Sequence, residues 1–351
     1  MIDLENYITQ GEPDQKERGY IWSTAIGLQK TDGLSVSDYL ISVANQNING
    51  DISIDEARVL IENYYKANPV KADDKSRTDE ADIVSARITE ILAEKTFSFS
   101  PVEYIAIHRR LFEGIYKFAG KIRDYNISKK EWVLNGETVF YASAGSIRET
   151  LDYDFAQEKA FSYKGLSMPQ TAEHIAKFAS GLWQIHAFGE GNTRTTAVFI
   201  IKYLRIFGFD VTNNFFEENA WYFRNALVRA NYNDLKSGIH ETQEYLNRFF
   251  ANPLLGENNV LKNRELLVSG TNDVPINVPI NDPIKISANG QKIISVLNEN
   301  PHITTLQMAE QIGVSDKTVK RALSELKDAG LIERVGSNKT GHWIVKQIDY
   351  S

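Results

Sequence analysis

The stretch Gln184–Phe199, QIHAFGEGNTRTTAVF, places a histidine, an acid, a Gly-Asn pair and an arginine within nine residues. An imidazole, whose ordinary pKa is about 6.5, can take a proton from a hydroxyl near neutral pH. A guanidinium offers a fork of donors that suits phosphate oxygens, and a carboxylate can hold Mg²⁺ against the same phosphates. These residue types predict either a phosphoryl- or nucleotidyl-transfer site or an ordinary solvated loop between two helices.

The elements on either side of this stretch decide where its polar groups would lie. Apolar residues at helical spacing predict a helix over Ala172–Ile185, and a second helix is expected to begin near Thr193. The backbone N–H groups of Gly191, Asn192 and Thr193 would then lie at a helix N-terminus. Unpaired donors and the helix dipole favour an anion there.

The rest of the chain reads as mainly α. Helical periodicity dominates, and Ser53 and Glu56 have the spacing of a capping box that would start a helix over Ile54–Tyr65. Proline, asparagine and aspartate are frequent in the stretch Gly270–Lys285, which therefore reads as a linker. We predict four segments: a helical module over 1–69, a helical domain over 80–255, a linker over 256–285 and a C-terminal domain over 286–351.

One segment of the helical domain, EWVLNGETVFYA, breaks the helical pattern. Apolar-rich runs flank Asn135-Gly136, a dipeptide typical of a type I′ turn. We therefore predict a β-hairpin over Trp132–Ala142. Because a single hairpin has no sheet partner in a helical domain, it would form an exposed flap.

The C-terminal segment has the pattern of a winged helix. One helix would end near Gly313, and Ser315 could cap the next helix, Asp316–Ala329, before two strands and a wing. Lysine and arginine side chains of that helix and of the wing could contact a DNA groove and its phosphates: Lys317, Lys320, Arg321, Lys327 and Lys339. Winged helices also dock proteins, so both partners remain open.

Bulk composition excludes some classes of site. The chain has 351 residues and no cysteine, which excludes disulfides, thiol nucleophiles and Cys-ligated metals. A net charge of −7 argues against extensive nucleic-acid coating. No apolar run approaches the roughly 20 residues of a membrane span, and the polar N-terminus lacks a secretory pattern. We expect a cytoplasmic protein without a membrane partner.

The order of residues in HAFGEGNTR resembles the signature of the Fic family, His-x-Phe-x-(Asp/Glu)-Gly-Asn-x-Arg. The resemblance extends over about residues 80–255 and includes Ala119–Ile127 and Val228–Leu235. It implies a Fic-type helical bundle and a protein adenylyltransferase, which moves AMP from ATP to a hydroxyl of a target protein with Mg²⁺ present. Related families phosphorylate or transfer phosphocholine, and the absence of lysine at Thr193 favours AMP transfer over phosphorylation.

The resemblance also implies roles for individual residues. His186 would be the general base, and Glu190 would hold the metal. Nucleotide-binding roles fall on seven positions: Phe188, Glu190, Gly191, Asn192, Thr193, Arg194 and Asn231. The flap residues that would align the target segment by β-augmentation are Val139, Phe140 and Tyr141.

The chain departs from the family pattern at three positions of this stretch. Ala187 stands where proline is usual, and Thr193 replaces a common glycine. A second arginine, common three residues after the first, is Ala197 in this chain. Because that arginine commonly pairs with the γ-phosphate in the family, the orientation of ATP has to be explained without it.

The first segment resembles a VbhA-type antitoxin, which restrains Fic enzymes through Ser/Thr-x-x-x-Glu-Gly. In LQKTDGLSVSDYL, Leu28 takes the Ser/Thr position and Asp32 the position of the inhibitory acid. Ser76 and Glu80 form a second candidate with the same spacing. Asp32 and Glu80 are therefore both candidate regulatory residues, and a helical interaction module without inhibitory contact is the alternative.

Two functions of different classes follow from these observations. The chain would be an ATP- and Mg²⁺-dependent adenylyltransferase, or a DNA-binding regulator whose Fic-like core senses a nucleotide. His186 favours the enzyme, since binding alone does not need a base. Ala197 and the winged helix favour the regulator. A homodimer is a further expectation.

Overall fold

The computed structural model describes residues 13–69, 76–209, 215–268, 288–328, 332–335 and 342–345. The chain divides into two compact units, residues 1–276 and 277–351, and each is described by itself. The described helices include none that is long and apolar enough to cross a lipid bilayer. The predicted boundaries at residues 69, 80, 255 and 285 stay predictions.

Helices are the dominant secondary structure in the described part of the first unit, which confirms the predicted mainly α class. Serine side chains cap the helices that follow Ser37, Ser53, Ser100 and Ser167, and the capping box of Ser53 and Glu56 is present as predicted. The helices are α1 Pro13–Gln29, α2 Asp38–Asn49, α3 Ile54–Ala67, α4 Thr78–Ala93, α5 Pro101–Phe112, α6 Ile147–Ala160, α7 Met168–Ile185, α8 Asn192–Ile206, α9 Phe215–Ala230 and α10 Glu244–Leu255.

Helix α1 is integrated into the main core of this unit. It packs against α4, α8 and α9, and its residues Ile21, Ala25 and Leu28 belong to the apolar core that also contains residues of α8. Trp22 on the same helix joins a second core with α2 and α3. The turn that follows α1, Lys30–Asp32, is thereby held against α9.

The predicted β-hairpin is wrong. Residues 132–134 form a 3₁₀ turn, and the described residues of Trp132–Ala142 contain no strand. Val133 and Leu134 are both buried, whereas a half-exposed strand would bury alternate residues. The Asn135-Gly136 turn does adopt positive φ angles of 54° and 90°, but the chain around it pairs with Val268.

The second unit has the predicted winged helix-turn-helix. Its helices are α11 Ala288–Glu299, α12 Thr305–Ile312 and α13 Asp316–Asp328, and strands β1 Ile332–Val335 and β2 His342–Val345 pair antiparallel. Gly313 ends α12 with a φ of 73°, and the Ser315 hydroxyl accepts the Thr318 N–H to start α13. Ala329 and the wing residue Lys339 lie outside the described residues.

Candidate functional site

His186 terminates α7 in a left-handed conformation. Its φ is 49°, an uncommon value for a residue with a side chain, and its N–H donates to the Trp183 carbonyl. Arg123 stabilises this turn, because its Nε–H donates to the His186 carbonyl at 2.7 Å and its Nη2 to the Ala142 carbonyl at 2.5 Å. Arg123 thus connects the histidine with Ala142, the last residue of the Trp132–Ala142 segment.

The imidazole of His186 is buried beside a tyrosine. Only 3% of the residue is exposed, and both ring nitrogens are buried without a hydrogen-bond partner among the described residues. The Tyr141 ring lies 4.1 Å away between centroids. Burial, followed by the charges of Lys129, Arg224 and Arg123, holds the pKa of His186 well below its usual value. The imidazole is therefore neutral near pH 7 and able to accept a proton.

The loop after His186 is fixed by a second histidine. The Phe188 ring stacks on His108 at 3.7 Å, and His108 Nε2 lies 3.0 Å from the Glu190 carbonyl. The Gly120 N–H donates to His108 Nδ1 at 2.9 Å, so the neutral tautomer with hydrogen on Nε2 satisfies both contacts. His108 was not expected from the sequence, since nothing near it marks it as a partner of this loop.

Gly191 is required where the loop enters α8. Its φ of 77° is left-handed, and a Cβ at this position would lie 2.3 Å from the Phe112 ring. Any larger residue would have to displace that buried aromatic ring. The backbone that leads into the first N–H groups of α8 is therefore closely packed against Phe112.

Two of the predicted nucleotide-binding side chains hold the loop itself. The Asn192 amide accepts the Phe188 N–H at 2.9 Å and donates to the Phe188 carbonyl at 2.8 Å. The Thr193 hydroxyl accepts the Trp183 indole N–H at 3.0 Å. Both side chains are buried, so their backbone N–H groups, at the start of α8, are the groups that fit an anion.

We expect the two buried histidines to make the fold sensitive to mild acid. Burial lowers the pKa of His108 from its usual 6.5 to about 4, so the unfolded chain binds protons first as the pH falls. Stability is therefore full above about pH 6.5 and decreases below it, by about 1 kcal/mol at pH 5.5 from His108 alone.

The measurement is the thermal-unfolding midpoint of the full chain at pH 7.5 and 5.5. Between pH 7.5 and 5.5 the unfolding midpoint of the His108→Gln variant should fall less than that of the native chain. The midpoint of the exposed His240→Gln variant should fall as much as that of the native chain. An equal fall of the midpoint in the native chain and in His108→Gln would show that His108 is not the source of the acid sensitivity.

Arg194 is the most heavily contacted group of the site. It is fully buried on α8, and its Nε lies 2.7 Å from Asp32 Oδ2. Its Nη2 lies 2.8 Å from Glu80 Oε1, and its Nη1 donates to Gln29 Oε1 at 3.0 Å. The face of Phe112 covers the guanidinium at 4.8 Å. Both predicted regulatory carboxylates therefore contact the predicted phosphate-binding arginine.

The two carboxylates differ in their surroundings. Glu80 also accepts hydrogen bonds from Arg77 at 2.8 Å and from the Tyr116 hydroxyl at 2.7 Å. Asp32 is the last residue of a short turn and is 20% exposed at its side chain. Burial raises the pKa of Asp32, but Arg194 and more distant cations lower it by more, so that the acid is ionised. Sequence reasoning missed Gln29, Arg77 and Tyr116, which lie on separate elements.

Two further ion pairs lie near His186. Lys129 Nζ is 2.9 Å from Glu190 Oε2. Arg224 on α9 forms a bidentate pair with the buried Glu131, at 2.7 and 3.1 Å, and the Tyr141 hydroxyl donates to the same carboxylate at 3.3 Å. Neither Lys129 nor Arg224 could be predicted as a site residue from the sequence, because each is a single charged residue outside any recognisable motif.

The remaining predicted residues occupy distinct places. Val139 is buried, Phe140 is 80% exposed, and the Phe140 carbonyl accepts a hydrogen bond from Gln184 at 3.2 Å. Asn231, just after α9, donates to the Ser180 hydroxyl at 2.9 Å. In the second unit the side chains with predicted DNA contacts are exposed on α13: Lys317, Lys320 and Arg321.

Comparison with known proteins agrees with this geometry. Residues 98–204 match the Fic/DOC family, a range that contains His108, the His186 turn and most of α8. This part of the chain is therefore similar to a Fic/DOC domain. Residues 286–333 match the winged helix-turn-helix DNA-binding family, which covers α11, α12 and α13.

One relative of the Fic/DOC domain is a probable protein adenylyltransferase of Sinorhizobium fredii, 27% identical over 175 residues that cover 48% of this chain and 84% of that protein. A Fic family protein from Desulfovibrio desulfuricans G20 is 11% identical, with a TM-score of 0.43 over 99% of this chain and 90% of that one. The N-terminal FIC domain of Bep8, a VirB-translocated Bartonella effector from Bartonella sp. 1-1C, is 20% identical, with a TM-score of 0.39 over 52% and 88%.

Proposed function

We propose that this chain moves AMP from ATP to a hydroxyl side chain of a target protein, with His186 as the general base. The observation that carries the proposal is the pairing of a buried, unpartnered imidazole with an adjacent anion loop that leads to a buried arginine. The relationship to a probable protein adenylyltransferase supports the same chemistry. The likeness of residues 1–69 to a VbhA-type antitoxin, a homodimer and a cytoplasmic location stay predictions.

In the proposed reaction the target hydroxyl oxygen attacks the α-phosphorus of ATP. The bond from that phosphorus to the bridging oxygen breaks, and pyrophosphate leaves with the electron pair. His186 accepts the hydroxyl proton on a ring nitrogen, which its lowered pKa keeps unprotonated near pH 7. The backbone N–H groups at the start of α8 stabilise the charge on the phosphate oxygens, and Arg194 binds the terminal phosphates.

Mg²⁺ fits this site through Glu190. Its carboxylate is 47% exposed and paired with Lys129, and one carboxylate with substrate phosphates is a common set of Mg²⁺ ligands. When bound, the metal would neutralise phosphate charge. The described residues form no group of three acids or histidines that could hold a metal on their own.

The contacts of Arg194 support self-restraint by Asp32. A carboxylate oxygen 2.7 Å from Nε lies against the edge of the guanidinium that a phosphate would need. Glu80 is held by Arg77 and Tyr116 as well, so it is placed to orient Arg194 while nucleotide is bound. We therefore assign restraint to Asp32 and positioning to Glu80.

The proposal predicts transfer that depends on His186. Incubation of the full chain with α-labelled ATP, Mg²⁺ and cell lysate should label protein, and His186→Ala should reduce the label by about 10²–10⁴-fold. The exposed His240→Gln variant serves as the matched control. Absence of label from both the native chain and an Asp32→Ala variant would sink the enzyme proposal.

A second candidate is a DNA-binding regulator with a nucleotide-sensing core. The match of residues 286–333 to a DNA-binding family and the exposed basic residues of α13 favour it. DNA affinity that changes with added ATP, and survives His186→Ala, would support this candidate. Salt-independent or absent DNA binding would remove it.

A further inference from the structure

The first two turns of α8 supply a single cationic side chain for a triphosphate. Residues 192–199 contain one cationic side chain, that of Arg194. One helical turn later Ala197 is fully buried in the apolar core. Since a triphosphate carries several negative charges, a second cation from elsewhere in the fold would improve its binding.

Arg224 is a cation close enough to this site for its charge to act on Asp32 and His186. It lies on α9, the helix that packs against both the Lys30–Asp32 turn and the Trp132–Leu134 turn. Its side chain is 15% exposed, and Glu131 holds it by one hydrogen bond from Nη2 at 3.1 Å and by an ion-pair contact of Nη1 at 2.7 Å. A guanidinium has more N–H groups than these two contacts use, so donors remain for a phosphate.

The charge of Arg224 reaches both chemically important groups of the site. Burial raises the pKa of Asp32, and Arg224 is among the cations that lower it. Burial lowers the pKa of His186, and Arg224 lowers it further. Glu131 connects Arg224 with the histidine, because it also accepts a hydrogen bond from the hydroxyl of Tyr141, whose ring packs on His186.

We propose that Arg224 binds the terminal phosphates of ATP together with Arg194, replacing from α9 the arginine that α8 lacks at position 197. Glu131 is its positioning residue, since a bidentate carboxylate fixes the plane of the guanidinium. This assignment rests on the proposed AMP transfer and adds a residue to the same site.

The arrangement also relates Arg224 to restraint. In the described residues around this site, Arg194 pairs with Asp32 and Glu80, Lys129 with Glu190, and Arg224 with Glu131. The cations are therefore balanced by acids before nucleotide binds. When Asp32 leaves Arg194, the charge balance shifts toward the positive side, and two guanidinium groups become available to one polyphosphate.

The test compares nucleotides of different phosphate number. Calorimetry would measure ATP, ADP and AMP binding to an Asp32→Ala, His186→Ala chain, in which restraint and turnover are both removed. Adding Arg224→Gln should weaken the binding of ATP by about tenfold or more and change the binding of AMP by less than about twofold. The reason is that only ATP carries the terminal phosphates that Arg224 would contact. Arg224→Lys, which keeps the charge, should recover part of the ATP affinity.

Matched variants distinguish phosphate binding from a structural ion pair. Arg229→Gln changes an arginine on the same helix that lies by Tyr245, and it should leave all three affinities unchanged. If Arg224→Gln weakens the binding of ATP and AMP equally, or leaves the ATP affinity unchanged, the assignment of Arg224 is wrong, but the proposed AMP transfer is not contradicted. No ATP binding by the parent chain would overturn the proposed function and this assignment together.

Discussion

We expect Asp32→Ala to increase AMP transfer by about ten- to a hundredfold. A close contact between opposite charges in a buried site contributes roughly 1.5–3 kcal/mol, and in the proposed restraint the nucleotide must displace the Asp32 carboxylate from Arg194 to bind. The variant removes that competition but leaves Glu80 and Gln29 in contact with the guanidinium. The measurement is the initial rate of label transfer from α-labelled ATP to the chain itself or to lysate protein.

The matched control for this variant is Asp38→Ala, an exposed acid in the first turn of α2. Its rate should equal that of the native chain. Glu80→Gln should have the opposite sign and lower the rate, since Glu80 orients Arg194 in our assignment. If Asp32→Ala leaves the rate unchanged, Asp32 is not the restraint, and an increase from Glu80→Gln would transfer that role to Glu80.

We expect the Arg194→Met variant to have no AMP transfer and a lower folding stability. The arginine is fully buried between two carboxylates, and removing one partner of a buried ion pair typically costs about 3–5 kcal/mol. The remaining acids would repel each other and raise each other's pKa. Chemical denaturation at pH 7.5 would show the lower stability, and the labelling assay would show the loss of transfer.

A triple variant separates the two effects. Arg194→Met combined with Asp32→Asn and Glu80→Gln removes the unpaired charges, so stability should recover by several kcal/mol. Transfer should stay absent, because the guanidinium that we propose binds the phosphates is still missing. Recovery of transfer in this variant would show that Arg194 serves the fold and not the nucleotide.

The local part of the site could be predicted from the sequence. Short-range geometry determines a loop between two helices, and the anion loop from His186 to Arg194 is contiguous in the chain. The capping box at Ser53 and the Ser315 cap are equally local and are confirmed. The role assigned to each residue stays a prediction that the variants above address.

The long-range part could not be predicted. Arg194 meets Gln29 and Glu80 across 165 and 114 residues, and only the packing of α1 and α4 brings these side chains together. The hairpin prediction failed for a related reason. Asn135-Gly136 does turn as its local preference indicates, but burial of the neighbouring Val133 and Leu134 outweighs the preference for paired strands.

The integration of α1 into the main core has a consequence for control in the cell. An inhibitor on a separate chain acts according to its concentration, and proteolysis or dilution can remove it. Asp32 is instead tethered to the arginine that it contacts, so its local concentration is constant at any expression level. In the proposed restraint, activation would therefore require binding energy from nucleotide, target or another ligand that favours a turn in which Asp32 has left Arg194. Changes in protein abundance alone would leave the fraction of active molecules unchanged.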